Sequence, residues 1–394
     1  MVNMAPAIAI LREFSRRGIA AVAVTSRREN AAMLRDEAGV PVFTSEPSLK
    51  DIPASISLAR KLRNGFDDQT AGLAAHAVEQ GLLRAIAWHT ASFVIHSIGA
   101  NRAMERLTSR YLIASLLTVY EGTPLAATTG RWAVGHGMPW VGAFPILVGD
   151  RPDGHHFPAQ HHLVYGEQLR DLAVRDGQPA EHVHVVGSPN YDRFLGRNQT
   201  QDRALIANSF PQGLGRKLVV VATEAFSDPF VELGPVLNSV NAIEGAFVVL
   251  KVHPSDDEEM FARFAATLPF TYRIAVTKEF DLGALLHCAD LLVCIVSNVI
   301  VSAAVLGTPT LVCDFSGKSK VIDFVREGLA EGCYDPALIR QTVEGLLFDQ
   351  KTREACIARL ARGVRRFNGP NDGQSAQRIV DFLVAVASPQ PSAA

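Results

Sequence analysis

Two patterns of apolar residues alternate along the chain. Stretches with apolar positions three and four residues apart, the spacing of one helix face, give way to short continuous apolar runs that read as buried strands. Ala7 to Gly18 ("AIAILREFSRRG") has helical spacing and ends on a glycine. "IAAVAVTS" then reads as a strand, "RRENAAMLRDEAG" as a polar helix and "VPVFTS" as the next strand. Strands alternating with helices of this length imply right-handed crossovers and a parallel sheet. Doubly wound sheets usually begin on a strand, whereas this one opens on a helix. Either a strand precedes it or this half lacks its first strand.

The alternation continues. A strand within "YLIASLLTVYEG" ends at Tyr120-Glu121-Gly122, and a helix follows to about Ala133. "WVGAFPIL", "HHLVYGE" and "HVHVVGSP" read as further strands, with "VGDRPDGHHFPAQ" a loop. After Pro189 the chain turns polar ("NYDRFLGRNQTQDR"), which predicts a linker. A second α/β unit then runs through "KLVVVATEAFSD", "AFVVLKVHP", "TYRIAVT", "ADLLVCIVSN" and "TPTLVCDF". The division expected is 1–192 for the first half and 193–368 for the second. The remainder, 369–394, holds a helix from Gly373 to Ala387 that packs back on the first half, and a disordered tail. With 394 residues the chain exceeds a typical single core, which agrees with two similar α/β halves and a cleft between them.

Composition narrows the function classes. Apolar residues make up 48% and charged residues 20%, the balance of a folded chain, not a disordered one. The 38 basic and 40 acidic residues nearly cancel, so no global field points to nucleic acid or an anionic membrane. The densest basic cluster, Arg362 to Arg366, reads as a solvated helix face. Cys288, Cys294, Cys313, Cys333 and Cys356 contain no C-x-x-C pair, and Cys294 and Cys313 sit in apolar runs as small buried hydrophobes. There is no signal-peptide pattern and no apolar stretch of about twenty residues. These features predict a reducing, cytoplasmic setting with at most peripheral membrane contact.

In open parallel sheets ligands bind beyond the carboxyl ends of the strands, where helix N-termini offer free N–H groups. The residues there are Glu121-Gly122-Thr123, Gly187-Ser188-Pro189, Thr223-Glu224, His253-Pro254 and Ser297-Asn298. In "FVVLKVHPSDDEE", Pro254 stops the strand and can serve as the first residue of the next helix, whose positive end Asp256 to Glu259 complement. That leaves His253 at the sheet edge, either as a plain strand end or as a ligand contact. Ser297 and Asn298 read equally as an ordinary helix cap or as phosphate-binding groups. The histidines of "HHFPAQHH" (His155, His156, His161, His162) match no metal-ligand spacing and read as a surface or cleft-rim loop, so no metal site is expected.

Together, "HVHVVGSPNYDRF", "LKVHP" and "ADLLVCIVSN…AAVLGTPTLV" resemble glycosyltransferases of the GT-B fold, two Rossmann-like doubly wound domains facing a cleft. The likeness covers roughly residues 111 to 315 and is nearest to bacterial enzymes that build capsule, lipopolysaccharide and other surface glycans. Within that group an acid–Gly motif and an HP motif are shared by sialyltransferases and Kdo transferases, and Glu121-Gly122 and His253-Pro254 match them. The resemblance implies Glu121 as general base. It implies His253, Pro254, Ser297, Asn298, Gly187, Ser188 and Thr223 around the nucleotide. It further implies a nucleotide-sugar donor as co-substrate with no separate cofactor, and a glycan, lipid-linked or protein acceptor at the inner face of the membrane. A homo-oligomer is compatible with it.

Two departures bear on the donor. Many UDP-sugar members carry a ribose-binding glutamate about five residues after the serine, where Ser302 stands here; this favours a CMP-activated acidic sugar. Many capsule relatives carry His-Gly where this chain has Phe144-Pro145, and His136 in "GHGMP" reads as a turn residue. A carboxylate at a strand end against an apolar sheet can have its pKa raised toward the working range, which suits Glu121 as the base of an inverting transfer, and phosphate stabilisation by His253, Ser297, Asn298 and helix N-termini would need no metal. The alternatives are a UDP-sugar transferase, a sugar-nucleotide epimerase, for which a denser set of acids is expected, and a non-catalytic binder of the same fold.

Overall fold

The computed structural model describes residues 4–46, 96–119, 123–143, 158–224, 233–295, 297–315 and 322–387, with a few positions between 53 and 94. Twelve strands among them form three parallel sheets. β1 (Ala23–Thr25) pairs with β2 (Val42–Thr44). β3 (Leu116–Val119), β4 (Trp140–Ala143), β5 (His161–Val164) and β6 (Val183–Val185) lie side by side in chain order. The second half supplies β7 (Lys217–Ala222), β8 (Ala246–Lys251), β9 (Ile274–Thr277), β10 (Leu291–Cys294), β11 (Thr310–Cys313) and β12 (Glu331–Cys333). Their order is β12-β11-β10-β7-β8-β9, the doubly wound arrangement.

The continuous apolar runs are explained by burial on both faces. Val220, Val249 and Leu292 pack into one cluster, and their chain neighbours Val219, Val248, Leu250, Leu291 and Val293 into the other, so neither strand face can be polar. β12 escapes that reading because Glu331 and Gly332 interrupt its apolar run. It is a strand by pairing alone, with Cys333 opposite Cys313.

The segment after Pro189 is not an open linker. Residues Pro189–Leu195 and Gln199–Ser209 are helices, the second capped by the Asn198 side chain, which accepts from the Thr200 and Gln201 N–H groups. Tyr191 and Phe194 are buried, and Asp192 is the anchor of a joint between the halves. Its carboxylate accepts from the Ser375 N–H and hydroxyl, both at 2.8 Å. Burial raises the Asp192 pKa, and the Ser375 and Ala376 bonds pull it back down. Nearby, the helix Gln350–Asn368 ends on a fully enclosed Asn368, whose Oδ1 accepts the Ser188 N–H at 2.8 Å while its Nδ2 donates to Asn371 Oδ1 at 2.8 Å.

From this joint the helix Ser375–Ala387 returns to the first half and packs on Ala5–Arg16. Arg17 Nη1 meets Asp381 Oδ1 at 2.5 Å, and Arg378 Nε donates to the Val186 carbonyl at 2.8 Å. Among the described residues no helix is long and apolar enough to cross a membrane.

Replacing Asn368 leaves the buried Ser188 N–H without an acceptor, and an unpaired buried donor costs about 1–3 kcal/mol. Asn368→Ala is expected to lose about that much stability in urea unfolding, although it removes no apolar contact from either sheet.

Candidate functional site

The strand order of the second sheet reverses between β10 and β7, and the crevice of an open α/β sheet lies there, beyond the carboxyl ends. Three adjacent strands end at this point. β10 leads to Ser297-Asn298, β7 to Thr223-Glu224 and β8 to Val252-His253-Pro254. The sheet therefore collects Thr223, His253, Pro254, Ser297 and Asn298 along one edge, although they span more than seventy positions of sequence.

Thr223 organises that edge. It is only 5% exposed, and its hydroxyl accepts the His253 N–H at 2.8 Å and donates to Asp256 Oδ2 at 3.4 Å. The Asp256 N–H in turn donates to the His253 carbonyl at 2.9 Å, closing a tight turn. Within it the Ser255 N–H donates to His253 Nδ1 at 3.1 Å, so the ring proton sits on Nε2, in a side chain that is half-buried at the crevice. Thr223 is thus committed to holding the loop, and His253 is the group the loop presents.

The expectation that Pro254 begins the next helix is not met. Pro254 is exposed within the turn, and the helix runs Glu258–Ala265, with Asp257 as its cap accepting the Glu259 N–H at 3.1 Å. The turn needs Asp256 pointing inward to Thr223, which delays the helix by one turn and hands capping to Asp257. Glu258 and Glu259 still occupy the first turn, beside the positive helix end. Lys278 ties the loop from the neighbouring strand end, its Nζ donating to the Asp256 carbonyl and its N–H to Glu258 Oε1, both at 2.9 Å. Lys251 donates to the Lys278 carbonyl, and burial lowers its pKa while Glu279 opposes that. Asp256, expected at the positive end of the helix, instead faces Thr223, and Lys278 carries no motif; only its position after β9 could have singled it out.

Ser297 and Asn298 open the helix Val299–Leu306. Ser297 Oγ accepts the Val299 N–H at 3.3 Å, whereas the Asn298 side chain is exposed and makes no capping bond. Gly307, left-handed at φ 77°, ends the helix.

The remaining candidates lie elsewhere. Gly187 and Ser188 sit at the joint, not on this edge. A Cβ on Gly187 would stand 2.5 Å from Ser375 Oγ, and its φ of 80° also favours glycine. Ser188 is fully enclosed, with its N–H taken by Asn368. Glu121 and Gly122 fall outside the described residues. Just after them, Thr123 caps the helix Pro124–Gly135 by accepting the Ala126 N–H at 3.1 Å. His155, His156, Phe144 and Pro145 also fall outside the described residues. His161 and His162, read both within a histidine-rich loop and as the start of the strand "HHLVYGE", lie in β5, where His162 is enclosed and its Nε2 lies 3.0 Å from Gln178 Oε1. His136 caps the C-terminal end of Pro124–Gly135 and stacks on Trp132 with ring centroids 3.8 Å apart. Among the described residues, no group of three His, Cys, Asp or Glu side chains could hold a metal ion.

The carboxyl edge of the first sheet is partly closed by the chain itself. A side chain at Gly166, after β5, would collide with the Arg366 carbonyl, and one at Gly369 would meet Val185 Cγ1 at 3.0 Å and the Tyr165 carbonyl at 3.2 Å. The ends of β5 and β6 are therefore packed against 366–369.

No family model matches the chain, and no curated protein matches it. Solved structures do. The UDP-GlcNAc 2-epimerase of Neisseria meningitidis, bound to UDP-GlcNAc, superposes with a TM-score of 0.66 at 11% identity, over 97% of this chain and 96% of that one. A glycotransferase of kitacinnamycin gives 0.61 at 15% identity, over 97% and 95%. A further UDP-N-acetylglucosamine 2-epimerase gives 0.61 at 14% identity, over 97% and 92%. At these identities the likeness is one of fold: the chain has the GT-B architecture of two Rossmann-like domains.

Thr223→Val keeps the shape of the side chain but removes the acceptor of the His253 N–H. It is expected to lower stability by about 1–3 kcal/mol in urea unfolding, with Thr223→Ser restoring most of the loss.

Proposed function

We propose that the chain is a glycosyltransferase that binds a nucleotide-linked sugar in the cleft and passes the sugar to a glycan, lipid-linked or protein acceptor. One observation carries this reading: His253, after β8, and Ser297-Asn298, at a helix N-terminus after β10, stand on the same carboxyl edge on either side of β7, at the strand-order reversal of the second sheet. His253 offers Nε2–H, Asn298 its exposed carboxamide, Ser297 its hydroxyl, and the helix its first N–H groups, a set suited to phosphate oxygens. Pro254 shapes the loop, and Thr223 holds it.

In the proposed reaction an acceptor hydroxyl attacks the anomeric carbon while the bond from that carbon to the phosphate oxygen breaks. Glu121 takes the hydroxyl proton, and the departing phosphate keeps the electron pair. The groups around His253 offset its charge without requiring a metal ion. Closure of the β5 and β6 ends supports drawing the base from the β3 side, where Glu121 lies in sequence. We assign a CMP-linked acidic sugar as donor, because the helix Val299–Leu306 has no acid for a ribose diol and Ser302 is buried within it. The reading places the reaction in the cytoplasm, at the membrane face when the acceptor is lipid-linked. A second reading, a UDP-sugar 2-epimerase, is favoured by the nearly full-length likeness to the Neisseria enzyme holding UDP-GlcNAc.

Calorimetry of the purified chain with CMP, CDP, UDP, GDP and dTDP separates the two. Selective CMP binding supports the transferase with an acidic-sugar donor. Selective UDP binding with interconversion of UDP-sugars, read by chromatography, supports the epimerase. Binding without turnover of any donor leaves a non-catalytic sugar-nucleotide binder, and no binding at all removes the proposal. His253→Ala is expected to weaken nucleotide affinity about ten- to a hundredfold, the loss of one hydrogen bond to a charged group, with little change in melting temperature. Glu121→Gln is expected to retain nucleotide binding while kcat falls by about two to four orders of magnitude. Full activity in that variant would refute the assignment.

A further inference from the structure

Three histidines that the proposed chemistry does not use stand together on one face of the first sheet. Register places His162 opposite Val183 and Leu163 opposite His184 in the parallel pair β5 and β6. His161 therefore shares its face with His184 and with His182 just before β6. The ring centroids of His161 and His182 are 5.2 Å apart, and those of His161 and His184 are 5.8 Å apart. Phe382, from the returning helix Ser375–Ala387, lies over them at 5.4 Å from His161 and 4.4 Å from His184. His161 Nδ1 and His184 Nε2 are enclosed there and have no hydrogen-bond partner. Imidazoles packed against an apolar ring are acceptable while neutral and costly once charged.

We propose that this histidine ladder is a pH-sensitive latch: in mild acid His161 and His184 become protonated and release the helix Ser375–Ala387 from the first sheet, loosening the joint that the same helix completes with Asp192. The charged groups on the surrounding elements do little to offset such protonation. On the returning helix, Arg378 is paired with Asp372 and Asp381 with Arg17. On Ala5–Arg16, Arg12 meets Glu37, and Glu13 is held down to about 2 by Arg16 first and by Arg17, against its burial, so it stays ionised throughout. On Glu167–Arg175, Glu167 meets Arg170, Asp171 meets Arg366, and Arg175 meets Asp176; Arg170 adds repulsion at His184. β4 contributes no titratable side chain, and Glu181 beside His182 is exposed.

Burial holds the His161 and His184 rings below the ordinary imidazole value of 6.5, and repulsion adds to it, at His161 from His182 and then His162. For His184, the other histidine in that repulsion is His161 itself, ahead of His182. The released state thus binds more protons than the docked one. Docking is at full strength above the unfolded value and is lost as pH falls through the window beneath it.

Hydrogen exchange of the amides in 375–387, corrected for intrinsic rate, tests this on the full chain at about pH 7.5 and about pH 5.5. The expected result is a loss of protection of about tenfold or more in this helix at the lower pH, with β7 and β8 unchanged. The double variant His161→Phe/His184→Phe is expected to keep its protection at both. Equal protection of the wild-type helix at both values overturns the proposal. So does acid release that persists in the double variant, which would trace to Asp192. Should that variant fold poorly, titration of the histidine C2 protons in the wild-type chain decides. Two rings titrating below the ordinary value together with the Phe382 signals support the latch, and ordinary titration overturns it.

Discussion

A parallel sheet covered by helices on both faces has nowhere to place a polar group except at the ends of its strands. In the second half β7, β8, β10 and β11 are sealed on both sides, so their chemistry is pushed to the carboxyl edge, where helix N-termini also point. Everything specific about the candidate site follows from how that edge is held. The Thr223 hydroxyl, itself buried, accepts the His253 N–H and donates to Asp256, and this pair of bonds turns the chain sharply after β8, with His253 part-buried in the turn at the carboxyl edge. A hydroxyl is required because it must accept and donate at once.

The same physics decides what could be read beforehand. Continuous apolar runs reveal β7, β8, β10 and β11 because burial on both faces leaves no other composition open to them. The short β12 shows no such run, since Glu331 and Gly332 are tolerated at the sheet's edge. The segment after Pro189 reads as polar because its buried residues, Tyr191 and Phe194, are sparse and its acid, Asp192, is satisfied by a partner 183 positions away. His161 and His162 carry two signals, a histidine run that resembles surface sequence and the apolar continuation Leu163-Val164 that reads as a strand, and pairing with β4 and β6 decides for the strand.

Of the candidate site, the strand-end rule finds His253, Ser297 and Asn298, since they follow apolar runs and precede helices. It also selects Gly187 and Ser188, which follow a strand just as clearly. Their place away from that edge rests on a long-range event: the chain at 366–369 packs against the ends of β5 and β6, and Asn368 takes the Ser188 N–H. Local pattern carries no information about which strand ends the chain itself will cover.

That covering ties the two halves together in a directed way. The segment from Asn368 to Arg378 bonds to Ser188, Asp192 and Val186, all within the stretch that joins the first sheet to the second half. Both connections between the halves therefore run through one small region, and a rotation of one half on the other must be accommodated there. Three of the contacts that hold the region use a carboxylate or a guanidinium and are short, whereas the helix that follows is held to the sheet mainly by Ile379, Val380, Leu383 and the Phe382 ring over the histidines. An apolar seat resting partly on imidazoles is the weaker of the two attachments in acid, so the helix is where the joint would first give way.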